Sequence, residues 1–439
     1  MKEQMRLYHY LKDKSIYLGL LLLGIITHAL YYGVPNSAVF DEVHFGKFLS
    51  AYFTHQYYFD IHPPLGKLIL AGWGWLWGYH PGFSFANIGE VYPDKLYMAL
   101  RFLPSLAGAL LPLVIYGVAR CLRIRRPAAV FAGVLVALDN ALLVQSRFIL
   151  LDPFLLLFGF AALYCYLRWR DTGRAWLLPA AGVLAGASAS IKWTGLTFLG
   201  LIVVLELFRL WAQRHSVTLR SVATAIGSFV IIPVIVYVTV FVVHFSLLAR
   251  PGPGDAFMTP NFQSLSMADR IVQLNAEMYR ANATLTATHP YSSLWYTWPM
   301  MARPIFYWVS GDARIYLLGN PVVWWLSTIA IITALVTVLS LGVIRAPPTL
   351  LIIAGAWLMN MLPFIGITRV MFLYHYLTAL IWAILALAYF ADQLKRPVKT
   401  MLAVSGLALV LFVFFAPLSY GLPLTDSEYN ARVWFSSWR

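Results

Sequence analysis

Apolar runs of membrane-crossing length recur along the whole chain, separated by short basic segments. A hydrocarbon core about 30 Å thick needs roughly 17–25 helical residues to cross it. On that condition the sequence predicts spans near 16–32, 100–120, 127–145, 149–168, 176–191, 194–211, 222–247, 321–343, 349–366, 370–391 and 400–417. An outer-membrane barrel would show short alternating segments instead. The expected fold class is therefore an all-α polytopic membrane protein with about eleven transmembrane helices.

Two segments break the pattern, 33–99 and 248–320; both are too polar and too aromatic to be spans. In the first, Trp73, Trp75 and Trp77 are expected at the lipid interface, where indole rings partition. In the second, Ser266-Met267-Ala268-Asp269 reads as a capping box. It opens a short amphipathic helix through Ile271, Leu274 and Met278. The ring-rich and proline-rich run from Thr288 to Pro299 predicts a rigid surface over a cavity. With no internal repeat, low-complexity tract or soluble domain visible, residues 1–439 are expected to form one integral-membrane domain.

Charge turns these spans into a topology. The chain is 60% hydrophobic and 11% charged, with a formal net charge of +14. Its mean hydropathy is +0.72. The positive excess gathers in short segments between spans. Lys2, Arg6, Lys12 and Lys14 precede the first, and Arg120, Arg123, Arg125 and Arg126 follow the second. Further clusters are Arg168, Arg170 and Arg174; Arg209, Arg214 and Arg220; Arg345; and Lys395, Arg396 and Lys399. Short loops rich in Lys and Arg stay cytoplasmic, so the charge reports orientation and suits anionic lipid. No nucleic-acid partner is expected. An odd number of spans puts the N-terminus in the cytoplasm, with the C-terminus and both long segments outside. The N-terminus lacks a convincing cleavage site and is read as a retained first helix in the cell membrane. Cys121 and Cys165, the only cysteines, indicate neither a disulfide framework nor a cysteine metal site.

This topology brings the uncommon polar groups to one face. Asp41 and Glu42 open the first external loop in Asp41-Glu42-Val43-His44-Phe45-Gly46-Lys47, followed by Phe59-Asp60-Ile61-His62-Pro63-Pro64-Leu65-Gly66-Lys67. Arg147 and Asp152 fall in the external turn Ser146–Pro153, Lys192 in the next, and His289 and Arg303 in the second loop. Arg369, Tyr374 and His375 start the tenth span at the same level. Adjacent acids beside a bilayer lose several kcal/mol of hydration, which points to use. An acid pair among cations suits glycosyl transfer from a polyprenyl-phosphate sugar. A carboxylate takes the acceptor's proton while Arg and Lys stabilise the departing phosphate.

The two first-loop motifs resemble the signature of the protein O-mannosyltransferases, GT-C membrane enzymes that use polyprenyl-phosphate mannose. The resemblance continues through Ser146–Pro153, Lys192-Trp193, His289–Arg303, Gly319-Asn320-Pro321 and Arg369–Tyr376. It implies an eleven-span GT-C fold and inverting mannosyl transfer to Ser or Thr hydroxyls of secreted or membrane proteins. Asp41 is the first choice of base, and Glu42 orients the acceptor or shares the role. Family members often pair as dimers. Eukaryotic members carry a lectin-like domain between spans seven and eight, for which 248–320 is too short. A minimal, bacterial-type member is therefore implied.

Plainer roles compete at several positions. Asp60 and His62 either shape the His-Pro-Pro turn or meet substrate, Arg147 either pairs with Asp152 or binds phosphate, and Lys192 either snorkels or binds donor. Asp152 is read as mainly structural. No cofactor is predicted; His44, Asp60 and His62 are the groups a divalent metal would use, without a supporting metal motif. Two other functions fit part of the pattern. One is a GT-C transferase acting on a lipid or cell-envelope polysaccharide. The other is a transporter or flippase, which would place its polar residues at the bilayer midplane and show inverted repeats.

Overall fold

A computed structural model describes residues 2–284, 288–367 and 369–439, with the side chains of residues 2–13 outside that description. Lys2, Arg6 and Lys12, used above for topology, thus lie outside the described side chains. Every expected span coincides with a helix or a broken helix. The first half comprises α1 (Lys2–Ala29), α2 (Glu42–Thr54), α3 (Leu65–Leu76), α4 (Leu96–Cys121), α5 (Arg126–Ala137), α6 (Asn140–Ser146), α7 (Asp152–Thr172) and α8 (Leu177–Ile191). It continues through α9 (Leu196–Ala212), α10 (Leu219–Ile226), α11 (Ile232–Leu247) and α12 (Met267–Thr284). A hairpin of β1 (Ile305–Ser310) and β2 (Ala313–Leu317) precedes α13 (Pro321–Arg345), α14 (Pro348–Met361), α15 (Leu377–Ala391), α16 (Pro397–Tyr420) and α17 (Asp426–Arg432).

Local chemistry sets many of these boundaries. Helices α5, α7, α13, α14 and α16 begin with proline in the first two positions, where a missing N–H costs no intrahelical bond. Gly173 and Gly421 close α7 and α16 at φ 66° and 68°, the left-handed cap that glycine adopts without a Cβ clash. The third expected span is bent by 58° between α5 and α6, where Asp139 accepts a bond from Leu142 N. A five-residue π-turn, Gly227–Ile231, joins α10 to α11.

Among the described residues, seven helices are long and apolar enough to cross a membrane by length and composition, or eight if the bent pair is one span. Helices α1, α7 and α8 are outside that set although each occupies an expected span. The α15 span is 72% buried and packs on α5, α13 and α14, whereas the α10–α11 span is 28% buried. A helix apolar all round at the centre and others apolar toward lipid are what a membrane bundle requires.

Both long segments are more structured than expected. Residues 33–99 hold α2 and α3, with Trp73 on α3 donating to Ala99 O at 2.8 Å. In the second, Ser266 and Asp269 form the expected cap, and Leu274 and Met278 are buried. The β-hairpin is the exception to an all-α reading. Ile305 pairs with Leu317 and Ser310 with Ala313 around the Gly311-Asp312 turn.

Candidate active site

The first-loop acids sit where α2 begins, and their side chains part company there. Glu42 is fully buried and both its oxygens are saturated. Oε1 accepts from Arg101 Nε at 2.7 Å and Ile149 N at 2.9 Å. Oε2 accepts from Arg101 Nη2 at 2.6 Å, Val39 N at 2.9 Å and the Tyr92 hydroxyl at 3.1 Å. Arg101 also donates to Pro35 O and Ser37 O, and its guanidinium lies 4.9 Å from the Tyr97 and Phe148 rings. A buried ion pair survives only when its remaining donors and acceptors are satisfied; this one ties the loop, α4 and the α6–α7 turn together. The Gly46 of the motif belongs to the same packing, since a Cβ there would lie 2.2 Å from the Phe85 ring.

Asp41 is the opposite case. Half-buried, it starts α2 through its carbonyl, which accepts from His44 N and Phe45 N. Its carboxylate makes no cap bond. Burial pushes that carboxyl up to about 7; the nearby Lys192 opposes the rise, while Asp152 and Asp60 add to it. Its aim is set by Phe40, which takes φ 45°, a left-handed conformation unusual for a bulky residue. Phe40 is held by stacking on Tyr307 of β1, with centroids 4.0 Å apart and planes 7° from parallel. Its N–H also donates to Tyr307 O at 3.2 Å.

Beside this turn lies a cavity of about 900 Å³ whose lining includes His62, Asp152, Lys192, Arg369, Tyr374 and His375. The first loop, α7, the α8–α9 turn and the segment between α14 and α15 therefore meet there. Lys192 caps α8 and donates to both Asp152 oxygens at 2.9 and 2.8 Å. Its ammonium stands 5.2 Å from the Tyr374 ring. His375 stacks on Trp298 at 5.7 Å. Burial, with Lys192, Lys67 and Arg369 nearby, holds His62 well below the usual imidazole range, so it is neutral at pH 7. Away from this polar end the walls are apolar, including Leu155, Leu156, Leu196, Leu362 and Phe364. Leu196 and Leu362 are each 50% exposed at the rim. Helix α12 lays Tyr279, Asn282 and Ala283 across the cavity, and Asn282 Nδ2 donates to Ile61 O at 3.1 Å.

Other expected site residues lie elsewhere. Asp41 is beside the cavity without lining it. Arg147 neither pairs with Asp152 nor enters the cavity. Its Nη atoms donate to Leu30 O and Tyr31 O at 2.7 Å, and the guanidinium covers the Tyr420 ring at 4.5 Å. Arg303 is half-exposed among backbone carbonyls, donating to Pro290 O and Ser437 O. The His289 ring packs on Phe372 at 5.1 Å, and its Nδ1 accepts from Tyr291 N. Asp60 pairs with buried Lys67, which also donates to His62 O at 2.8 Å and so fixes the His-Pro-Pro turn. Asn320 of Gly319-Asn320-Pro321 caps α13 and bonds to Leu138 O and Ala408 O. Among the described residues no group of three or more His, Cys, Asp or Glu side chains is placed to hold a metal.

Sequence reasoning passed over Arg101, Lys67, Gln145 and Tyr307. Arg101 carried a signal, because an arginine at the start of an apolar span needs a buried partner. Gln145 and Tyr307 carried none.

The chain has known relatives. The family model described as dolichyl-phosphate-mannose-protein mannosyltransferase matches residues 18–249. The model of the C-terminal four-span region of protein O-mannosyltransferase matches 267–438. Protein O-mannosyltransferase 1 of Drosophila pseudoobscura pseudoobscura is 39% identical over 257 residues, which are 56% of this chain and 28% of the fly protein. Dolichyl-phosphate-mannose–protein mannosyltransferase 4 of Candida albicans is 38% identical over 259 residues, 55% of this chain and 34% of the yeast protein. The chain thus spans about a third of the length of these curated relatives. The solved Saccharomyces cerevisiae protein O-mannosyltransferase Pmt1-Pmt2 complex bound to the sugar donor superposes with a TM-score of 0.92 at 20% identity. That match covers 98% of this chain and 93% of the other. ArnT from Cupriavidus metallidurans bound to undecaprenyl phosphate shares the fold more loosely, with a TM-score of 0.54 at 17% identity over 90% of this chain and 63% of that one. With more than half its length matched by the first family model, this multi-pass membrane chain belongs to the dolichyl-phosphate-mannose–protein mannosyltransferase family.

Proposed function

We propose that this protein transfers mannose from a polyprenyl-phosphate carrier to Ser or Thr hydroxyls of proteins, on the external face of the cell membrane. The observation that carries this reading is a carboxylate without a cap bond beside a cavity with cations at one end and an exposed apolar rim at the other. The carrier's isoprene chain occupies the apolar part, and its phosphate meets Lys192 and Arg369. The acceptor oxygen attacks the anomeric carbon from the side opposite the phosphate, and the carbon–oxygen bond to phosphate breaks with its electron pair. Asp41 takes the hydroxyl proton as the new bond forms, and the configuration inverts. Glu42, with every lone pair engaged, positions Asp41 and takes no proton. Lys192 and Arg369 balance the charge that grows on the leaving phosphate; neutral His62 and His375 complete the polar end. Arg147, Arg303 and His289 support the walls. Pairing with a second mannosyltransferase chain belongs to the same reading.

A lipid acceptor is the second reading, favoured by the lipid-facing rim at Leu196 and Leu362. Reconstitution with labelled polyprenyl-phosphate mannose, a Ser/Thr peptide and bilayer lipid tests both. Transfer to peptide with inversion, abolished by Asp41→Asn, is the expected result. Label found only in lipid would move the acceptor, and no transfer to either would end the proposal.

A further inference from the structure

We infer that Tyr307 and Gln145 are positioning residues that orient Lys192 for the donor's phosphate, and that β1 thereby links the cation to the turn carrying Asp41. The inference rests on the proposed function only in taking Lys192 as the phosphate anchor. Four buried side chains form one unbranched relay. The Tyr307 hydroxyl donates to Gln145 Oε1 at 2.5 Å, and Gln145 Nε2 donates to Asp152 Oδ2 at 2.7 Å. Asp152 then takes Lys192 Nζ on both oxygens, at 2.9 and 2.8 Å. Tyr307 is 1% exposed and Gln145 3%, so water does not replace either partner.

The direction of the relay is forced by chemistry. Both Asp152 oxygens accept from Lys192, and the amide turns its NH₂ toward Oδ2. The amide oxygen then faces Tyr307, whose hydroxyl donates to it. Removing that hydroxyl leaves a buried carbonyl unpaired and frees the amide to flip its oxygen against the carboxylate, a repulsive contact. Asp152 then loses a fixed partner and Lys192 its fixed seat. At its other end Tyr307 stacks on Phe40 and accepts that residue's N–H, which holds the left-handed turn before Asp41. One residue of the hairpin therefore touches both the relay to the cation and the turn before the base.

The two functions of Tyr307 come apart by substitution. Tyr307→Phe keeps the ring and deletes the hydroxyl. Equilibrium binding of polyprenyl phosphate to the full chain in nanodiscs is expected to weaken about fivefold, the effect of one buried hydrogen bond. The transfer rate at saturating donor should fall as well, because Lys192 also balances the charge on the leaving phosphate, while the Phe40 stack keeps Asp41 in place. In a Lys192→Ala background the same change should alter binding by less than about 1.5-fold, since the relay then ends in nothing. Gln145→Leu reads the link from its middle and should reproduce the loss without adding to it. Equal losses with and without Lys192, or no loss in the parent, overturn the inference; so does a wild type that binds no polyprenyl phosphate. Coupled binding without mannosyl transfer would defeat the proposed activity and leave the relay standing. Transfer without coupling would defeat the relay alone.

Discussion

Asp41 and Glu42 are chain neighbours in opposite surroundings. Under α2, Glu42 is locked by five hydrogen bonds, two of them from a buried arginine. Toward the cavity, Asp41 keeps an unengaged carboxylate whose proton affinity burial has raised to about 7. An acid saturated with donors is held firmly in place; a desolvated one without a cap bond binds its proton more tightly. The contrast teaches that an acidic pair is not a catalytic pair. One member supplies rigidity so that the other can remain reactive.

The contrast can be broken at either end. The largest effect is expected for Asp41→Asn, which keeps the shape and removes the base. Single-turnover transfer should fall about a thousandfold, while polyprenyl phosphate still binds. Near-wild-type turnover would hand the role to another group. Next, Glu42→Ala strands buried Arg101 and should lower stability by about 3 kcal/mol, measured by thermal unfolding of the purified protein in detergent. If the variant stays as stable as the parent but is inactive, Glu42 acts in the reaction itself. The contrast sharpens with pH. Asp41 works only when ionised, so saturating rates should drop about tenfold per unit below about 7. Lys192 holds that midpoint down, and Lys192→Ala should move it to higher pH. A flat profile from pH 5 to 8 would remove Asp41 as base. The smallest effect belongs to Arg303→Ala. Its bonds go to exposed carbonyls outside the cavity, so donor KM should stay within about twofold. A larger change would bring Arg303 back toward the substrate.

Much of this was legible because lipid imposes a simple grammar. Apolar length placed each expected span on a helix or broken helix, and alternating sides then put Asp152, Lys192 and Arg369 at one level. The break between α5 and α6 was not legible, because Asp139 and Asn140 interrupt an apolar run without ending it. The hairpin was missed although Ile305–Ser310 and Ala313–Leu317 flank a Gly-Asp pair, a recognised turn signal. The surrounding rings and prolines in a loop hid it. Individual partners were the least accessible level. Arg147 was read as either pairing with Asp152 in the same turn or binding phosphate. Folding instead brings Lys192, forty residues on, to the acid and sends Arg147 to the carbonyls that end α1. Side-chain pairing depends on helix rotation, and periodicity in a nearly uniform apolar run does not report it.

The half-exposed leucines at the cavity rim carry a kinetic consequence. A ligand entering past Leu196 and Leu362 arrives laterally, from a two-dimensional solution rather than from bulk water. Its effective concentration is then a mole fraction among phospholipids, and adding inert bilayer dilutes it without changing the volume of the assay.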